Sequence, residues 1–122
     1  MPAMPAAILG LVLSLLLPGG TFTAYFTPAF TDTAYQKEAA AKILKVWKSA
    51  PGAPVGKKTV LIAQIAKDGS LAGLTEHLLT GFKPWDDAAI AAVRKAAPFA
   101  PLPKSWAYPT MEVHFHFEVA RK

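Results

Sequence analysis

The sequence predicts an α+β domain with the element order helix, strand, strand, helix, strand, and three observations carry that reading. Residues 111–119, Met-Glu-Val-His-Phe-His-Phe-Glu-Val, alternate apolar and polar without a break. The apolar stretches 59–66 and 71–79 are joined by Lys67-Asp68-Gly69-Ser70, and Asp-Gly is among the strongest short-range hairpin signals. Two further segments, one on each side of that pair, repeat their apolar residues at helical spacing.

The chain opens on an uncharged run, residues 6–17, that stops at Pro18-Gly19-Gly20. Twelve helical residues rise about 18 Å, short of a hydrocarbon core of about 30 Å. That length suits the hydrophobic region of a secretory signal, or a short uncleaved anchor that attaches the chain to a membrane. Residues 18–32, rich in Thr, Pro, Gly and Phe, read as an irregular linker. The resulting division is 1–24 for the signal or anchor, 25–33 for the linker and 34–122 for the domain.

Thr33-Ala-Tyr-Gln36 has the form of a capping box, and Ala40, Ile43, Leu44 and Trp47 then recur on one helical face. The helix is expected to end near Ser49, because Pro51, Gly52 and Pro54 follow. Thr59 to Ala66 is apolar at both parities, which predicts a central strand. The return strand, 71–79, turns polar at Glu76 and His77. Asp86 or Asp87 is expected to cap the second helix, 86–97. Its stripe is Ala89, Ile90, Val93, Ala96 and Ala97, and Pro98 stops it. In the last strand Met111, Val113, Phe115, Phe117 and Val119 share one face, opposite Glu112, His114, His116 and Glu118. The strand 59–66 is placed between 71–79 and 111–119, which leaves the last strand as an edge.

Composition narrows function by exclusion. With 122 residues the chain holds one domain, and its lack of cysteine rules out disulfides and thiolate metal sites. All 13 Lys and Arg lie beyond residue 34 with 7 of the 8 acids, so that segment carries about +6. These charges are scattered, with no basic run or stacking aromatics, and nucleic acid is not an expected partner. The serines have no partnered histidine, and Asp86-Asp87 is explained as a cap, so no enzyme is expected and no cofactor is implied.

The element order, with Thr80-Gly81, Asp86, Ala88-Ala89, Ala92-Val93-Arg94 and the exit Pro98-Phe-Ala-Pro-Leu-Pro103, resembles the C-terminal domain of the TonB/TolA family. Tyr35, Ile43 and Trp47 followed by Pro51 make the first helix more similar to that of TolA. The resemblance implies two helices packed on one face of a three-stranded antiparallel sheet. It also implies a periplasmic or inner-membrane-anchored docking module, here as a short stand-alone exported form. Its partner would be an envelope protein or receptor peptide, added to the last strand. The expected partner-binding residues are therefore Met111, Glu112, Val113, His114, Phe115, His116, Phe117, Glu118 and Val119. Two other readings stand beside it. His114 and His116 lie on one strand face and could hold zinc with a carboxylate. Alternatively, the domain forms a homodimer and has no transport role.

Overall fold

The computed structural model describes residues 12–120. Its elements are β1 (Val12–Leu17), β2 (Gly20–Phe26), α1 (Thr33–Val46), β3 (Lys58–Ala66), β4 (Leu71–Leu78), α2 (Lys83–Ala96) and β5 (Thr110–Val119). The five strands form one antiparallel sheet in the order β1-β2-β5-β3-β4. The α+β class and the helix-strand-strand-helix-strand order from residue 33 onward are as the sequence predicts, and β3 does lie between β4 and β5. The expected count of three strands is corrected to five.

The two additional strands come from residues read as the end of an export segment and a linker. Residues 1–11, which carry the first half of the apolar run, lie outside the described residues. The rest of that run is β1, which turns at Leu17-Pro18-Gly19-Gly20 into β2. Pro18 suits the second position of such a turn, and Gly19, at φ 87°, takes the positive angle the third requires. Beyond the turn β2 alternates: Phe22, Ala24 and Phe26 are buried while Tyr25 is exposed.

One face of the sheet carries the core. Phe22 of β2 and Phe115 and Phe117 of β5 are all 0% exposed, as is Leu61 of β3. Over them lie Ala39, Ala40 and Ile43 of α1 and Ala89, Ala92 and Val93 of α2, all buried. Small alanine faces let both helices approach the sheet closely. Trp47, just past α1, stacks on Phe117 with ring centroids 5.3 Å apart and meets Trp85 edge-on at 5.0 Å. The indole of Trp85 donates to the carbonyl of Phe117 at 3.1 Å, which satisfies the polar end of a buried ring.

Both helix starts differ from expectation. Asp32, not Thr33, caps α1, its carboxylate accepting from the Tyr35 amide at 3.0 Å. A carboxylate there also meets the positive end of the helix dipole. Helix α2 begins at Lys83, three residues early, because Pro84 fits a first turn that needs no amide donor. Asp86 is consequently drawn inside the helix start instead of capping it.

The proline-rich exit after α2 packs back on the β3–β4 turn. Phe99 donates to Gly69 O at 2.8 Å and Leu102 to Lys67 O at 2.9 Å. A Cβ on Gly69 would stand 2.0 Å from Phe99 O, so only glycine allows this approach.

Candidate functional site

The expected docking residues, 111–119, do not line a free edge. β5 pairs with β3 on one side from Thr110 to Glu118, and with β2 on the other from Val113 to Val119. Both rows of its backbone groups along that shared length are thus used within the sheet. The reason is the hairpin: β2 lies where the sequence reading left an unpaired row. Residues beyond 33 alone would have given the expected edge.

Among the expected site residues, Met111, Val113, Phe115, Phe117 and Val119 are buried under the helices, and the other face of β5 is wetter. There His114 Nε2 lies 2.7 Å from Glu112 Oε2. The imidazole's hydrogen bond holds the Glu112 carboxyl below the usual carboxylate range, against the opposing effect of partial burial. His116 packs against Tyr25 of β2, ring centroids 4.5 Å apart. Burial, with smaller contributions from Lys58, His114 and His77, pushes its pKa down to about 4. No group of three or more His, Cys, Asp or Glu is arranged to hold a metal ion among the described residues.

The titration of His116 has a measurable consequence. Its folded pKa lies below the ordinary 6.5, so the unfolded chain binds the extra proton more readily. The stability associated with neutral His116 is complete above pH 6.5 and is lost as pH falls through about 4. Discounted for partial exposure and solvent screening, the effect is on the order of 1 kcal/mol. Urea unfolding of His116→Gln is expected to show a correspondingly smaller loss between pH 7 and pH 4. Parallel stability curves for the two proteins would refute this.

β1 and β4 are the two edge strands of the sheet, and β4 is the longer of them. Among the described residues no strand lies on its outer side. Most of its length is exposed, and Leu78 and the adjoining Leu79 remain 46% and 44% accessible. Two register shifts interrupt the β3–β4 ladder, leaving the pairs from Gly73 to Glu76 as its regular middle. Such irregularities blunt an edge against indiscriminate aggregation. Beside the strand a shallow groove runs to the start of α2, lined by Glu76, Leu79, Gly81, Lys83, Asp87 and Ile90. Lys83 and Asp87 form an exposed ion pair one helical turn apart.

The sequence profile of the family described as TonB C terminal matches residues 32–117, well over half the chain. The chain belongs to the TonB C-terminal family. Its TonB-type portion is therefore the run from the Asp32 cap through nearly all of β5, and the β1–β2 hairpin lies ahead of it. The TonB-type fold is similar to the solution structure of TolAIII bound to a peptide derived from the N-terminus of TolB. That likeness has a TM-score of 0.55 at 21% identity, covering 74% of this chain and 77% of the other. No curated protein sequence matches the chain. No helix among the described residues is long and apolar enough to cross a membrane.

Proposed function

We propose that this TonB-type domain is a periplasmic docking module that takes up an extended peptide of an envelope partner by strand addition at β4. TonB and TolA C-terminal domains are periplasmic protein-interaction domains rather than enzymes, which supports this setting. The observation that carries the placement is the outward row of β4, solvent-facing beside the groove to α2. In strand addition the edge's amides and carbonyls supply affinity, and side-chain pockets select the sequence. The groove offers apolar Leu79 and Ile90 flanked by charges of both signs, which fits a peptide pairing an aliphatic residue with polar neighbours.

The test is site-specific crosslinking in the native envelope. A photoreactive phenylalanine analogue at Thr75 or Leu78 is expected to yield a defined adduct with one envelope protein, and the same analogue at Glu118 is not. Proline at Gly73 or Leu74, whichever amide faces outward, is expected to lower the adduct yield roughly tenfold while the fold persists. Adducts at Glu118 with none on β4 would overturn the placement.

A further inference from the structure

The family's matched segment starts at residue 32, and the β1–β2 hairpin lies ahead of it. Without the hairpin, β5 would present a free row of backbone groups. The core-facing rings of Phe115 and Phe117 would also lose Phe22, whose centroid lies 5.8 Å and 5.1 Å from theirs. From these facts we infer that the hairpin is a resident strand donor. It holds the β5 edge in cis, and that edge accepts a strand carrying aromatic, small and aromatic residues at alternate positions.

The fit of β2 to β5 defines what the edge accepts. Seven residues pair in register, Gly20 opposite Val119 through Phe26 opposite Val113. Phe22, Ala24 and Phe26 point inward and are 0%, 0% and 3% exposed, so the middle position admits only a small side chain. At the leading end the approach is closer still. A Cβ on Gly20 would meet Glu118 O at 2.0 Å and the Trp85 ring at 3.1 Å. The domain also recognises the hairpin's backbone: the Trp47 indole donates to Pro18 O at 3.1 Å, and Ala120 N donates to Gly19 O at 3.0 Å. At the other end Thr27 Oγ1 donates to Glu112 O at 2.9 Å.

The connection keeps the donor in place. Phe30 is buried against Tyr35 and Trp106, and buried Gln36 donates to its carbonyl at 3.0 Å. The chain is thereby pinned four residues past β2. So short a tether raises the local concentration of the donor to the millimolar range, enough to exclude a free competitor. β1 adds less to the grip on β5: it touches only β2 within the sheet, and its Leu16 is 84% exposed. The information for binding therefore resides in residues 18–27.

The experiment severs the tether in the full chain. A protease recognition sequence is inserted between Pro28 and Ala29, and a fluorescent peptide of residues 17–28 is supplied at 100-fold molar excess. The uncut protein is expected to exclude the peptide. The cut protein, in which the donor has lost its tether, is expected to incorporate at least ten times more. The same peptide with Ala24→Lys is expected not to enter. Equal incorporation before and after cutting, incorporation of the Lys peptide, or a cut protein that admits no peptide would each overturn the inference. Should the insertion prevent folding, amide exchange of the unaltered chain decides the matter. The β2 amides and the β5 amides facing them are expected to exchange together and faster than residues 60–65. Their exchange only with residues 60–65, in one global opening, would refute an exchangeable donor. This inference is independent of where a partner adds to β4, and crosslinking at Thr75 does not bear on it.

Discussion

Deleting residues 1–24 is expected to lower the thermal midpoint further than any other simple change to this chain, while β3, β4, β5 and the two helices still fold cooperatively. The cut removes β1, the hairpin turn and most of β2, including Phe22 and Ala24, both fully buried. Loss of a buried phenylalanine ring alone costs about 3–5 kcal/mol. Here it comes with the unpairing of one side of β5 and with water reaching Phe115 and Phe117. A small domain is stable by only about 5–15 kcal/mol, so the sum leaves little margin. Thermal unfolding followed by circular dichroism is the check, with Gly20→Val as a milder companion. That variant drives a side chain into Glu118 O and should lower the midpoint without removing any ring. A truncated protein that still melts sharply at the parent temperature would show that the hairpin is peripheral. A cut after Ala24, the junction that its small side chain suggests, would split β2 between Ala24 and Tyr25.

What the sequence revealed and what it hid divide along physical lines. The strands 59–66, 71–79 and 111–119 were legible because each carries its own signal: apolarity at both parities, an Asp-Gly turn, strict alternation. All three lie within a residue of their observed limits. The hairpin was hidden by competition between two readings of the same residues. Leucine-rich residues 6–17 resemble a targeting segment, and β1 contributes no alternation of its own, since Leu15, Leu16 and Leu17 point to both faces. Yet Thr21, Phe22, Thr23, Ala24, Tyr25 and Phe26 do alternate after a Pro-Gly turn, and that signal was available. That signal decides the position of β5 in the sheet, because whether β5 is an edge depends wholly on what β2 does. The helix starts were missed for a different reason. A cap is chosen by which side-chain oxygen reaches a free amide, and Asp32 and Thr33 differ there by one position.

Replacing Asp86 with alanine is expected to cost about 3 kcal/mol or more. Its side chain is 5% exposed and gathers four donors: Thr59 Oγ1 at 2.6 Å, Thr80 N at 3.0 Å, Thr80 Oγ1 at 2.9 Å and Gly81 N at 3.2 Å. Those donors belong to β3 and to the turn between β4 and α2, so one carboxylate fixes the helix to the sheet. Burial by itself would raise its pKa, but the hydrogen bonds from Thr59, Thr80 and Gly81 outweigh it and hold the group below the usual aspartate value. Because the folded pKa is depressed, the stabilisation is complete above the unfolded value near 3.8 and disappears as pH falls through the lower folded value. The penalty of Asp86→Ala should therefore be full at pH 7 and shrink below about pH 4. Asp86→Asn keeps the volume but turns an amide toward the Gly81 N–H, setting donor against donor, and is expected to lose about half as much. Urea unfolding of the three proteins at pH 7 and pH 3 separates these contributions. A loss under about 1 kcal/mol for Asp86→Ala at pH 7 would mean that the helix is held by Trp85 and its alanine face alone.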